Sequence, residues 1–308
     1  MDTPRAELIA LFGPTGVGKT GVALALADRL RELGERPVAV SADALQVYEG
    51  LEILTGAATA AERARLEHRL LSFLPVDAQF SAGQYAELAH VEIDGLLADG
   101  RRPIVVGGTG LYLRAALAEL SLKPPPPEGV RERWLRELAA HGPGALHAAL
   151  AARAPWAAAE IDPADRQRIV RALELLDAGE LEPADREVSE LWTAATRRPT
   201  LLVGLVMERE RLYAQIDARV EAMLAAGAEE EVRRAHARGA SATARRALGF
   251  EELLARDVEA MKRRTRNYAR RQLTWMRKLP NVHVLDVTGR RAAAVAGEIV
   301  TLWQTAAP

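Results

Sequence analysis

Residues 8–21, LIALFGPTGVGKTG, run from an apolar segment into a glycine-rich turn that ends in Lys-Thr. Gly13, Gly18, Lys19 and Thr20 fit the spacing G-x-x-x-x-G-K-T between a strand-like and a helix-like stretch, the setting in which this pattern holds phosphate. The loop of Gly13, Pro14, Thr15, Gly16, Val17 and Gly18 can curl so that several backbone N–H groups face one anion at a helix N-terminus. Lys19 adds a point charge, and the Thr20 hydroxyl can ligate magnesium. The purpose of the phosphate is less evident. A P-loop ATPase usually carries an apolar strand ending in an acidic magnesium ligand, but the natural candidate, PIVVGGTG (103–110), ends in glycines. The other candidate is Asp43, after RPVAVSAD (36–43), which suits a magnesium ligand, a general base or a turn cap. In a parallel sheet Asp43, Thr109 and the P-loop share the carboxyl edge where ligands gather, and that favours function for Asp43 and Thr109 over capping and turn roles.

A second group of residues lies far along the chain. KRRTRNYARRQLTWMRK (262–278) holds eight Lys or Arg and no acid. On a helix Arg263, Arg266, Arg270 and Arg277 fall near one face, Tyr268 and Trp275 lie with Arg264 and Arg271 on another, and Ala269, Leu273 and Met276 form a narrow apolar stripe. A solvated basic helix with inward aromatics is the plain alternative. In a chain of formal net charge -1, such concentration favours a polyanion surface, and cations beside aromatics suit RNA.

The elements that must position these residues follow from periodicity. Residues 6–12, 36–43, 101–117, 199–208 and 281–289 read as strands, and 18–33 and 81–99 as helices. Strands alternating with helices indicate a parallel α/β sheet. The proline run KPPPPEG (123–129) breaks the pattern, and 130–190 shows only helical periodicity. The fold expected is therefore α/β: a P-loop parallel sheet flanked by helices over 1–117 and 199–308, with a helical insertion at 118–198 and a largely helical C-terminal part.

At 308 residues the chain can bury a sizeable core. Its 49% hydrophobic and 27% charged content is ordinary for a globular enzyme. With no cysteine, disulfides and thiolate metal sites are excluded, and a reducing cytosol is expected. No signal peptide, membrane span or dimer seam is expected, so the chain reads as a cytoplasmic monomer. His68, His141 and His236 lack metal-ligand spacing, and Trp134, Trp156, Trp192 and Trp303 read as packing residues.

In sequence order, GPTGVGKT, SADALQVYEGLEI, FSAGQY, VVGGTGLYLRA, DRQRIVRALE, RERLYAQIDARVEAML, RALGFEEL and the basic helix together resemble the tRNA dimethylallyltransferase (tRNA isopentenyltransferase) family over nearly the whole chain. This chain departs from the family pattern at Ala44, where Ser is usual, and at LTGAAT (54–59) and HRLLS (68–72). The resemblance implies transfer of a dimethylallyl group from its diphosphate to the exocyclic amine of the adenine just 3′ of the tRNA anticodon, with magnesium as cofactor. Diphosphate would leave from the P-loop, so no water-positioning acid is needed. It further implies Lys19, Thr20, Asp43 and Arg266 in catalysis, with Asp43 as base and Arg266 on a phosphate of donor or RNA. For tRNA contacts it implies Asp43, Ala44, Leu45, Gln46, Thr109, Arg131, Gln167, Arg168, Ile169, Val170 and Arg171, and on the basic helix Arg270, Arg271, Gln272, Trp275 and Arg277. The competing readings are a small-molecule or nucleotide kinase, an RNA-binding NTPase switch, and an adenylate isopentenyltransferase acting on free nucleotide.

Overall fold

The structure, a computed structural model, describes residues 6–123, 125–183 and 190–305. Expectations that touch 1–5, 124, 184–189 or 306–308 lie outside the described residues. The chain divides into two compact units, one of 1–120 with 190–308 and the other of 121–189.

The first unit opens with β1 (Leu8–Phe12), α1 (Lys19–Glu32), β2 (Pro37–Ser41), α2 (Glu52–Thr55), α3 (Ala60–Arg65), β3 (His68–Arg69), α4 (Ala82–Ala98), β4 (Arg102–Gly107) and α5 (Gly110–Leu117). The second unit consists of α6 (Val130–Arg153), α7 (Pro155–Ala159) and α8 (Arg166–Asp177). Returning to the first unit, the chain forms β5 (Thr200–Val206), α9 (Arg209–Ala225), α10 (Ala228–Ala237), α11 (Phe250–Leu254), α12 (Val258–Met276), β6 (His283–Asp286) and α13 (Ala292–Thr305).

Among the described residues six strands form one sheet in the order β3-β2-β4-β1-β5-β6, and their pairings are parallel. All five residues of β1 and of β2 are buried, as their largely apolar runs, LIALF and PVAVS, lead one to expect of strands covered on both faces. The phosphate loop leaves β1 at the centre of this sheet, between β4 and β5. Its last glycine, Gly18, takes φ 92° before α1 begins, a left-handed turn that a side chain disfavours. Leu26 and Leu30 of α1 pack with Val295, Ile299 and Trp303 of α13 in the main core, and Trp303 Nε1 donates to the Ala6 carbonyl at 2.9 Å.

Two sequence expectations change here. The run 101–117 is not one strand: β4 stops at Gly107, and Gly110 starts a helix. An apolar run gives little warning of such a switch when the following helix is itself buried, as α5 is. The two-residue edge strand β3 carries too short a signal to be read at all.

The helical unit has its own core of Leu146, Leu150, Ile169, Val170 and Leu173. Within it, α6 kinks at Gly142, beside Pro143, as a helix must where an N–H is lost. In the first unit, residues 190–197 are held by buried Arg114 of α5, whose guanidinium donates to the carbonyls of Glu190 and Ala195.

Candidate active site

The carboxyl ends of β1, β2 and β4 bring the P-loop, Asp43 and Thr109 to one edge of the sheet. Lys19, the first residue of α1, folds its side chain back and donates from Nζ to the carbonyls of Gly13 and Pro14, both at 2.9 Å. Desolvation lowers its pKa to about 8, against an opposing pull from the Asp43 carboxylate and aided by the Arg219 cation. Thr20 stands half-exposed beside it on the first helical turn.

Asp43 follows β2, and one of its carboxylate oxygens accepts from the Leu45 backbone N–H at 3.0 Å. Its charge is felt by three phenols. Tyr85 and Tyr112 are raised well above the ordinary tyrosine range, first by burial and then by neighbouring phenols and Asp43. Tyr268 is pushed up to about 12 by burial and Asp43, against a hydrogen bond with Thr109. Tyr85 and Tyr112 lie 4.5 Å apart between ring centroids, and the Tyr85 hydroxyl donates to the Ser41 carbonyl at 2.9 Å. Arg219 of α9 faces the same carboxylate. Its guanidinium donates to the Thr55 and Gly56 carbonyls at 3.4 and 3.5 Å. A Cβ on Gly56 would stand 1.6 Å from that guanidinium, so the glycine makes room for the arginine. The outcome is a carboxylate whose charge reaches two desolvated cations and three buried phenols.

Helix α12 grips the turn that follows β4 residue by residue. The Gln272 Nε2 donates to the Gly108 carbonyl at 2.7 Å, the Tyr268 hydroxyl lies 3.3 Å from Thr109 Oγ1, and the Trp275 ring lies against Gly110. These side chains are spaced i, i+4 and i+7, one stripe of the helix. Gln272 Oε1 also accepts from the Thr15 backbone N–H of the P-loop at 2.8 Å. Trp275 stacks in turn on Trp192 with ring centroids 4.5 Å apart. Arg263 and Arg270 on the far side of α12, Arg264 and Arg271 along the edge of the stripe, and Arg277 at the helix end are exposed.

Several positions differ from the sequence expectation. Gln272, expected on tRNA, is 4% exposed; its two hydrogen bonds are internal because its stripe faces the sheet. Arg266, expected on a phosphate, is paired with Asp217 of α9 at 2.6 and 2.7 Å. Ile169 and Val170 are buried in the helical core, where the apolar face of α8 must go, and offer RNA no surface. Gln167 and Arg168 are exposed on the first turn of α8. Arg131 and Arg171 both meet the fully buried carboxylate of Glu174, at 3.1 and 3.3 Å. Ala44 and Leu45 are half-exposed beside Asp43. Gln46 is tied inward, donating to the Thr55 and Gly56 carbonyls.

Sequence reasoning missed Arg219, Tyr85, Tyr112 and Glu174 as members of these clusters. For Arg219 a signal existed: Leu212 and Ile216 form the buried stripe of α9, and Arg219 follows at i+7 on the same side.

Residues 46–279 match the family described as IPP transferase. A tRNA dimethylallyltransferase of Kineococcus radiotolerans is 44% identical over 299 residues, 92% of each chain. Among solved structures, a tRNA isopentenylpyrophosphate transferase of Bacillus halodurans superposes with a TM-score of 0.68 at 31% identity, covering 96% of both chains. A eukaryotic dimethylallyltransferase acting on tRNA shares the fold with a TM-score of 0.75 at 23% identity, over 98% of this chain and 80% of its own.

Proposed function

The chain belongs to the IPP transferase family, that of the tRNA dimethylallyltransferases, and from this premise we infer how its own residues prenylate tRNA. The transferred group is dimethylallyl from dimethylallyl diphosphate, and the acceptor is the exocyclic amine of the adenine 3′ of the anticodon. What supports this best is the single edge at which Lys19, Asp43, Arg219 and the Thr109 turn converge. A kinase would use the P-loop but leaves α12 without a purpose.

The diphosphate lies in the loop 13–20, where backbone amides and Lys19 hold it. The amine nitrogen forms a bond to the first carbon of the prenyl group, and the bond from that carbon to oxygen breaks. Diphosphate leaves with the electron pair, and charge gathers on it in the transition state, where preorganised donors act most strongly. Lys19 and Arg219 are the cations at hand. The weakly nucleophilic amine loses its proton to Asp43 as the new bond forms. The phenols of Tyr85, Tyr112 and Tyr268 and the α12 stripe keep water from the prenyl cationic carbon. The adenine must leave its stack to arrive there, which is easiest in a single-stranded anticodon loop.

Magnesium fits this loop in a limited way. Among the described residues no group of three His, Cys, Asp or Glu stands ready to hold a metal, so Thr20 would give one oxygen while diphosphate and water complete the shell, as this ion prefers. Bound there, it would neutralise diphosphate charge. No helix among the described residues is long and apolar enough to cross a membrane, and the tRNA substrate supports a cytoplasmic location. The test is mass spectrometry of nucleosides from tRNA incubated with the protein, dimethylallyl diphosphate and magnesium. One prenyl unit added to adenosine is the expected result. Labelled phosphate on a small acceptor from ATP would replace this reading with a kinase.

A further inference from the structure

Gln272 reaches from α12 to both halves of the site. Its carboxamide oxygen holds the Thr15 amide at 2.8 Å and its nitrogen holds the Gly108 carbonyl at 2.7 Å, so one buried side chain stitches the phosphate loop to the turn that carries Thr109. The stitch leaves no room for alternatives. A Cβ on Gly108 would stand 2.3 Å from Gln272 Nε2 and 3.3 Å from Lys19 Nζ. Around the same helix, Arg263, Arg270 and Arg271 are exposed.

We propose that Gln272 couples the two substrates: RNA seated on α12 strengthens the hold of the phosphate loop on the diphosphate, and by linkage the diphosphate strengthens the hold on RNA. The proposal rests on the reading above, in which RNA lies along α12 and the diphosphate lies in the loop. Loop amides grip an anion only when they point together, and ordering them costs conformational entropy. A ligand that restrains α12 restrains Gln272, and through it the Thr15 amide and the Gly108 turn, so part of that cost is already met when the second ligand arrives. The sign of the effect is informative. RNA and diphosphate are both anions, and charge alone makes each oppose the other. Mutual strengthening must outweigh that repulsion, and Gln272 is the side chain that bonds both loops from the RNA-facing helix.

The experiment measures four dissociation constants: a non-transferable analogue, dimethylallyl thiolodiphosphate, with and without an anticodon stem-loop RNA, and the RNA with and without the analogue. Wild type should bind the analogue about fivefold or more tighter when RNA is present, within the usual range of coupling between sites. Gln272→Met keeps the volume and loses both hydrogen bonds. It should weaken the analogue alone as the Thr15 amide is released, and the deciding readout is the ratio of affinities with and without RNA, which should fall to one or reverse as the anions repel. Gly108→Ala, which displaces the carboxamide without altering it, should lose coupling in the same way and serves if the Met variant unfolds. Wild type without coupling, or a variant that keeps it in full, overturns the proposal. The underlying reading fails separately: it falls if Lys19→Ala binds the analogue as wild type does, or if wild type binds no stem-loop RNA.

Discussion

Each of the two units contains a carboxylate set between two cations, and the two clusters are built in opposite ways. In the helical unit Glu174 is fully buried and meets Arg131 and Arg171 at 3.1 and 3.3 Å. Each guanidinium bonds the carboxylate directly, and the arginine side chains remain about one-third exposed, at 34% and 32%. In the α/β unit Asp43 lies between Lys19 and Arg219, yet both cations spend their hydrogen bonds on backbone carbonyls. Both are pushed below their ordinary pKa by desolvation. Charges bonded directly to one another hold a shape, as Glu174 holds two arginines at one place on the surface of its unit. Charges kept near one another but not bonded leave their capacity for a substrate, and that is the condition for chemistry.

Asp43→Asn should expose this difference most sharply. Turnover should drop by about 10²-fold or more, the scale of a positioned base, with tRNA affinity changed little; normal turnover with weak binding would make Asp43 a holding residue like Glu174. The next largest effect should come from charges that belong to neither cluster. Replacing Arg263, Arg270 and Arg271 by Gln should weaken tRNA binding and flatten its salt dependence, by about 0.7 to 0.9 log units for each phosphate that is no longer neutralised. Filter retention at several salt concentrations reads both, and parallel slopes with equal affinities would return α12 to a solvated basic helix.

Lys19 gives a smaller effect with a defined sign. Its free-state pKa is about 8, and a bound diphosphate must raise it, so donor binding above that pH takes up a proton. Donor affinity should hold steady from pH 7 toward 8, then fall by up to about tenfold per unit until the pKa of the complex is passed. Titrating the donor against pH checks this. Lys19→Arg, charged throughout the range, should lose the dependence even if it binds less well. Glu174→Gln should do least to catalysis. It leaves two arginines facing each other without a counter-charge and should cost about 1–3 kcal/mol of stability, the scale of an unsatisfied buried group, seen by thermal unfolding. Turnover at saturating tRNA should stay near wild type, and a loss comparable to that of Asp43→Asn would erase the distinction between the two clusters.

The sequence carried the parts of this molecule whose signals are local. The phosphate loop is legible because glycine spacing, Lys19 and Thr20 act within eight residues, and β1, β2 and β5 because buried parallel strands are apolar throughout. Asp43 and Thr109 were reachable by one topological rule, that strand ends of a parallel sheet meet. What failed was partnership. Gln272 looks like one more polar residue of a basic helix, and only the fold shows that its stripe faces Gly108. Arg266 and Arg171 look like free cations until Asp217 and Glu174 are brought to them from 49 and 3 residues away. Residue type tells which bonds a side chain can make, and the tertiary fold decides which are already made.

The topology also orders events in time. Strand β1 is made before both of its neighbours in the sheet, β4 at Arg102–Gly107 and β5 at Thr200–Val206. The Ala6 carbonyl just before it waits for the indole of Trp303. The phosphate loop hangs from this strand, so its surroundings are complete only once β5 and Trp303 have been made. Sequence-distant pairing of this kind slows folding and leaves apolar strands bare meanwhile. The helical unit, whose own core lies within 121–189, can condense while β1 still lacks β5. A newborn chain would thus hold its Glu174 cluster well before it could grip a diphosphate.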